Sequence, residues 1–288
     1  MLKASCLTAI ILFAGQPAIA NEFWDNWEFA VAAGYGERSN PLLNADDIKT
    51  YINVDIAWYG DRFFFDNGDI GYNLYFGENF SVNLIGQLNN ERAFFGETNI
   101  GIISFDTLGP GLSAGDGLEP PDGGDPTNGE EPIETPDPIE YEVADRNHAY
   151  EAGVEVIYED DWGQLQISLL NDISSQHSGQ RADVVFSTNH IHQRWLVRPS
   201  LGLSWKSSSL TDYYFGVEPD ESNQFVNEYT ADASLNAFAS VLLNYAIKKD
   251  LFWGLKLGYE QFGDEIADSP IVVEDDVFTA YTGLKYRF

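Results

Sequence analysis

Long stretches of the sequence alternate between apolar and polar residues at every second position, which is the side-chain period of a β-strand. The clearest stretches cover residues 48–59, 193–206, 229–247 and 251–262. Most such stretches are about 10 to 13 residues long, which suits a tilted membrane crossing and exceeds the usual length of a strand in a soluble protein. The periodicity therefore predicts a fold made of strands.

Two folds can produce this alternation. A soluble sandwich buries the apolar face between two sheets, whereas a membrane barrel turns that face to lipid and keeps the polar face in its lumen. The apolar faces often end in aromatic residues, as interfacial girdles require: Trp58, Trp195, Trp205, Tyr245 and Tyr259. We therefore predict an all-β fold, a single antiparallel transmembrane β-barrel.

The lengths of the connections predict how many strands the barrel has. We predict strands at 25–36, 48–59, 62–67, 69–76, 80–90, 146–158, 163–173, 180–190, 193–206, 229–247, 251–262 and 277–288. Short connections alternate with long ones, as periplasmic turns and external loops do in outer-membrane barrels. The pattern predicts about 12 strands, within a range of 10 to 14, with both termini in the periplasm. Loss of the short 62–76 hairpin would leave about ten strands and the same parity.

The alternation also assigns side chains to the two faces. One strand is expected to place six residues together on its apolar face: Ile48, Thr50, Ile52, Val54, Ile56 and Trp58. Charged residues are expected on the opposite, lumen-facing sides of the strands: Glu151, Glu155, Arg198, Lys256 and Lys285.

The first 20 residues have the pattern of an export signal. Lys3 supplies a short basic region, residues 7–14 form an apolar core, and Ala18 and Ala20 fit a small-x-small cleavage site. The apolar run is too short to cross a membrane as a helix. We therefore predict a signal peptide at 1–20 and a barrel at 21–288, in the outer membrane of a Gram-negative bacterium.

The charge of the chain is strongly negative. Its 288 residues include 46 Asp and Glu against 15 Lys and Arg, which gives a formal net charge of −31. Such a chain repels phosphate backbones, so nucleic acid is not expected as a partner.

Ten of the acidic residues lie in the segment 109–142, which contains no Lys or Arg. This composition cannot bury a core, so we predict a disordered, solvated external loop. A divalent-cation site is a sharper alternative, because hard cations bind clustered carboxylates. The calcium candidates are Asp116, Asp122, Asp125, Glu130 and Glu131. Their spacing does not match an EF-hand loop, and no other cofactor is expected.

The sequence offers little for catalysis. His177 and Ser178 are adjacent, whereas a His and Ser that act on one face of a strand must be two residues apart. His190 and His192 could share a face, but without a third ligand we interpret them as turn and rim histidines. Cys6 is the single cysteine, so no disulfide or thiolate metal site is expected. We predict that the protein is not an enzyme.

The last seven residues resemble the C-terminal signal by which the outer-membrane assembly machinery recognises barrels. Thr282, Gly283, Tyr286 and Phe288 carry its pattern of a polar residue, a glycine and alternate aromatics. A free strand edge can be captured by strand addition, and alternate aromatics then fill pockets on one face. We therefore expect this machinery as a partner, beside outer-membrane lipid and lipopolysaccharide.

Several motifs resemble the MipA/OmpV family of MltA-interacting outer-membrane proteins. The most telling are a Tyr-Tyr-x-Gly-Val stretch and an Asp-Ser-Pro stretch, which contribute Tyr213, Tyr214, Gly216, Asp268, Ser269 and Pro270. Residues 59–64 and 199–205 and the pair His177 and Gly179 also match. The first external loop, 37–47, and the insert 109–142 depart from the family pattern, so external binding properties are not carried over.

The resemblance implies a non-enzymatic scaffold or interaction protein linked to murein and cell-envelope maintenance. In one family member the implied partners are a lytic transglycosylase and a bifunctional penicillin-binding protein. A passive small-solute channel and a surface adhesin are alternatives, and an outer-membrane hydrolase is a remote one.

Overall fold

A computed structural model describes residues 26–95 and 141–288. The first strands are β1 (Trp27–Arg38), β2 (Ile48–Tyr59), β3 (Phe63–Asp66), β4 (Asp69–Phe76) and β5 (Phe80–Leu88). The middle strands are β6 (Tyr150–Asp160), β7 (Gly163–Asp172), β8 (Gln180–Ser187), β9 (His190–His192) and β10 (Trp195–Lys206). The last strands are β11 (Ser234–Ala246), β12 (Leu251–Gln261) and β13 (Asp276–Arg287). Short helices are a 3-10 helix (Glu91–Phe95), α1 (Ser208–Phe215) and α2 (Asp264–Ala267).

The strands form one antiparallel sheet that closes on itself. Neighbours in sequence pair with each other, β13 pairs with β1, and β10 pairs with β11. Both β8 and β9 pair with β10, so they are two parts of one strand. The 13 strand segments therefore make a 12-stranded barrel, which confirms the predicted fold class.

Apart from the β3–β4 turn at 67–68, short turns gather at one end of the barrel and long connections at the other. The short turns are 60–62, 77–79, 161–162, 193–194 and 247–250. The long connections are 39–47, 89–149, 173–179, 207–233 and 262–275. Because short turns face the periplasm in outer-membrane barrels, the long connections are external. No helix in 26–95 or 141–288 has the length and apolar character that a membrane crossing requires.

The short β3–β4 hairpin is present, as the sequence predicted. Asn67 and Gly68 form its two-residue turn with φ angles of 50° and 103°. Both angles are positive, as in the hairpin turn that favours Asn-Gly because glycine has no Cβ to clash. The hairpin supplies the two strands that distinguish a barrel of twelve strands from a barrel of ten.

Alternate positions of the strands face the lumen and the lipid. In β12, Phe252 and Lys256 are buried, whereas Leu201 in β10 is 60% exposed on the outer face. The predicted faces of β2 were wrong in part, because Ile48 and Thr50 are buried while Ile52 is 50% exposed. The register between β1 and β2 shifts beside these residues, and such a bulge changes the phase of the alternation.

Candidate functional site

The external connections turn into the outer part of the lumen and pack there. Three of them contribute the 3-10 helix, α1 and α2, and loop 39–47 joins loop 262–275 through the bridge between Leu42 and Val272. Their apolar side chains pack with inward-facing strand residues in one buried cluster that includes Leu42, Ile48, Phe94, Phe95, Leu210, Tyr214, Phe215, Val217, Val226, Phe262, Ile266, Ile271 and Tyr281. We call this cluster and its supporting polar contacts the outer plug.

The helix α1 enters the plug through one apolar face. Leu210 and Tyr214 are four residues apart and fully buried, as a helical period requires. The Ser207 hydroxyl at its N-terminus accepts a hydrogen bond from the Gln180 backbone N–H at 2.8 Å, which ties α1 to β8. The helix ends where the Gly216 N–H donates to the Asp212 carbonyl at 2.7 Å.

The two most telling sequence motifs meet in the plug. The Ser269 hydroxyl donates to the Phe215 carbonyl at 2.6 Å, within the Tyr-Tyr-x-Gly-Val stretch. Asp268 closes α2, because its N–H donates to the Asp264 carbonyl at 2.8 Å, and Pro270 follows. The structure thus gives these motif residues a packing role in closing the lumen.

Arg146, in the external connection before β6, binds the same stretch. Its guanidinium makes a bidentate pair with Glu221 at 2.7 and 2.9 Å and donates to the Tyr213 carbonyl at 2.6 Å. It also reaches the Gly216 carbonyl at 3.4 Å. Burial tends to raise the pKa of Glu221, but the hydrogen bonds from Arg146 and from the Glu218 N–H, together with the Arg146 charge, outweigh it, and the pKa lies below its usual value.

Buried ion pairs support the plug from within the lumen. The Lys206 ammonium lies 2.7 Å from a Glu91 carboxylate oxygen and 3.7 Å from one of Glu260. Arg38 lies 3.7 Å from the same Glu260 carboxylate. Because buried charges are costly unless paired, these contacts tie the 3-10 helix to the inner faces of β10, β12 and β1.

A second buried pair is centred on Glu151, as the lumen-facing prediction implied. Arg181 lies 3.0 Å from Glu151 and 3.3 Å from Asp183. The side chains of Glu151 and Arg181 are both buried. The described lumen therefore carries paired charges, rather than exposed rings of one sign.

His177 has a structural role beside this pair. Its Nδ1 accepts the Gly179 N–H at 2.9 Å, so its own proton lies on Nε2, which is 3.7 Å from Glu151. A Cβ at Gly179 would lie 2.7 Å from the Leu210 nitrogen, so only glycine fits this approach. The backbone N–H groups of His177 and Ser178 both donate to Asp172 Oδ2 at 2.8 Å, so Asp172 holds this loop.

The other sequence candidates are placed as follows. His190 and His192 are exposed in β9, and within 26–95 and 141–288 no three His, Cys, Asp or Glu side chains are grouped as metal ligands. Several predicted sites lie outside the described residues: Ala18, Ala20, Asp116, Asp122, Asp125, Glu130 and Glu131, with most of the insert 109–142.

The C-terminal strand carries its aromatics on the lipid side. Tyr286 is 47% exposed and Phe288 is 78% exposed, with ring centroids 5.0 Å apart. Thr282 is exposed on the same face, beside Gly283. Because β13 pairs with both β12 and β1, any recognition of its edge must precede closure of the barrel. The assembly role stays a prediction.

A cavity of about 210 Å³ lies at the periplasmic end of the lumen. Its charged lining comes from two groups of elements: Arg194 in the turn before β10, Arg198 on β10, and Lys285 and Arg287 on β13 form one, and Glu28 on β1, Asp55 on β2 and Asp66 on β3 form the other. The Lys285 ammonium lies 2.6 Å from an Asp55 carboxylate oxygen. This cavity therefore carries charged groups of both signs beside apolar side chains, and it lies at the end opposite the outer plug.

The sequence missed several residues of the plug. Arg38 and Lys206 occupy inward-facing positions at the external ends of β1 and β10, so extending the alternation to the strand ends would have found them. Glu91 lies beyond β5 in the 3-10 helix, where no strand period applies. The pair of Arg146 and Glu221 spans 75 residues, and no local pattern joins them.

The chain is similar to a family model and to curated outer-membrane proteins. The family model for MltA-interacting protein MipA matches residues 29–288. The outer membrane protein YiaT of Escherichia coli K12 is 28% identical over 145 residues, 50% of this chain and 58% of that protein. The MltA-interacting protein of Escherichia coli K12 is 25% identical over 147 residues, with the same shares. The matches thus span little more than half the length of these curated relatives. Among solved structures, the NanC porin has a TM-score of 0.42 and 8% identity, over 91% of this chain and 100% of that chain.

Proposed function

Because the chain belongs to the MltA-interacting protein MipA family of outer-membrane barrels, we propose that it is a non-enzymatic interaction protein with a closed lumen. The observation that carries the proposal is the outer plug. Buried apolar side chains and the paired Lys206 and Glu91 occupy the outer half of the described lumen. A closed barrel acts through its surfaces rather than by conducting solute.

The periplasmic turns offer the contact surface for a murein enzyme. Asp161 in the β6–β7 turn and Lys248 and Lys249 in the β11–β12 turn are exposed there. One relative is named for its interaction with MltA. By that likeness the proposed partner is a lytic transglycosylase, and a penicillin-binding protein is a second member of the same assembly.

Site-specific photo-crosslinking in whole cells tests this partner. A photoreactive amino acid at Asp161 or Lys249 should yield a crosslinked product that contains a lytic transglycosylase, identified by mass spectrometry. The matched control is Asp220, which is exposed on the external side and should not yield it. Absence of any murein enzyme from the products at all periplasmic turn positions would overturn the proposal.

Planar-bilayer recording separates this function from a passive channel. The purified full-length barrel should give no stable conductance steps, because the outer plug blocks the water path. A reproducible open conductance in the unmodified protein would instead support the channel.

A further inference from the structure

The cationic wall of the periplasmic cavity is unusual for this chain. Of its 15 Lys and Arg, four line this one cavity, although the chain has 46 Asp and Glu. Arg198 Nε donates to Asn189 Oδ1 at 2.7 Å, and the Arg287 guanidinium lies 5.5 Å from the Phe252 ring centroid. Each contact orients a guanidinium, which has five N–H donors to offer. The cationic wall thus holds guanidinium donors in fixed orientations, which the acidic composition of the chain would not by itself produce.

The acidic wall stands on β1, β2 and β3. Asp66 accepts hydrogen bonds from the Tyr59 hydroxyl and from Asn67 Nδ2, both at 2.9 Å, which fix its carboxylate at the rim. Glu28 lines the same wall. The pair of Lys285 and Asp55 joins the two walls where β13, β1 and β2 meet.

The size and the apolar surface limit what the cavity can hold. Phe252, Leu196, Ala30 and Ala57 also line it. An apolar cavity of about 150 Å³ holds benzene, so about 210 Å³ suits a ligand of roughly ten non-hydrogen atoms.

We propose that this cavity binds a small zwitterion, an amino acid or dipeptide, from the periplasm. Arg194, Arg198 and Arg287 receive its carboxylate, since guanidinium groups bind carboxylates through paired hydrogen bonds. Glu28 and Asp66 receive its ammonium group. The site is independent of partner docking, which uses the outward surface of the turns.

Calorimetric titration of the full-length barrel in detergent tests the site with L-alanyl-L-alanine as the probe. N-acetyl-alanyl-alanine keeps only the carboxylate and alanyl-alanine amide keeps only the ammonium. The dipeptide should bind at least about 10-fold more tightly than either analogue, because each analogue loses one charge-assisted contact. No binding of the dipeptide, or equal binding of one analogue, would overturn the proposal.

Substitutions of cavity residues test whether the ligand binds in the cavity. Arg198→Gln and Asp66→Asn should each weaken binding by about 10-fold or more. Their matched controls are Arg62→Gln and Glu78→Gln, which make the same charge changes at exposed periplasmic turns outside the cavity and should leave binding unchanged. Arg194→Gln, at an exposed rim position, repeats the test if Arg198→Gln does not fold. Equal binding by cavity variants and controls would contradict the assignment.

Discussion

The hydroxyl of Ser269 donates a hydrogen bond to the carbonyl oxygen of Phe215 at 2.6 Å. The two residues are 54 positions apart, and both are buried in the outer plug. The bond joins the connection after β12 to α1, so two segments that enter the lumen separately hold each other there.

We expect Ser269→Ala to lower the free energy of unfolding by about 1–3 kcal/mol, because it leaves a buried carbonyl without this donor. Thermal unfolding of the purified barrel in detergent measures the loss. Ser222→Ala is the control, since its hydroxyl bonds the Pro219 carbonyl at an exposed position and its removal should change little. Equal losses of unfolding free energy in the two variants would show that the buried hydrogen bond contributes no more than the exposed one.

The barrel itself could be predicted from the sequence because strands obey a local rule. In β10 and β12 the period of two places Leu201 outward and Lys256 inward without any knowledge of neighbouring strands. The rule failed in β2, where the bulge that moves Ile48 and Thr50 inward depends on its pairing with β1. A one-residue slip exchanges the faces, and only the partner strand specifies it.

The plug could not be predicted in the same way. Its contacts join residues far apart in sequence, such as Arg146 with Glu221 and Lys206 with Glu91, and no periodic pattern records them. The family motifs at 213–216 and 268–270 pointed to two segments that lie in the plug. They did not predict that these segments pack against each other. The periplasmic cavity likewise depends on closure of the barrel, which brings β10 and β13 to line one space with β1–β3.

The stability of the barrel should fall in mildly acidic solution because of His177. Burial lowers the pKa of its imidazole below the usual 6.5, although Asp172 and Glu151 oppose that shift. Above pH 6.5 the ring is neutral in both folded and unfolded chains, so no penalty exists. As the pH falls from 6.5 through the lowered pKa, the unfolded chain binds the proton more readily and stability is lost.

His177→Asn should flatten this pH dependence, because asparagine keeps an acceptor for the Gly179 N–H and does not titrate. The measurement is the melting temperature between pH 7.5 and pH 5.5, compared with His192→Asn, which changes an exposed histidine. If the pH dependence of the melting temperature persisted in His177→Asn and disappeared in His192→Asn, then His192 rather than His177 would cause it.

Replacement of Lys206 tests the buried ion pairs. Lys206→Met leaves the Glu91 and Glu260 carboxylates without their shared cation, and breaking a buried pair in this way costs about 3–5 kcal/mol. The double variant Lys206→Met with Glu91→Gln should recover part of the loss, because it also removes one stranded charge. Thermal unfolding compares both with Lys248→Met, an exposed control. A double variant less stable than Lys206→Met would show that Glu91 does not depend on this lysine.

The C-terminal aromatics should affect assembly more than stability. Phe288→Ala removes a side chain that is 78% exposed on the lipid face, so little folded-state packing is lost. If the assembly machinery reads this residue, the amount of barrel in the outer membrane should fall several-fold while the melting temperature of the assembled fraction stays close to wild type. Phe278→Ala is the matched control, since Phe278 is 50% exposed on the same face of β13 at its external end. Pulse-chase labelling with outer-membrane fractionation measures the rate of assembly. A similar decrease in both variants would indicate a general need for aromatic residues on this face, and it would remove the case for a terminal signal at Phe288.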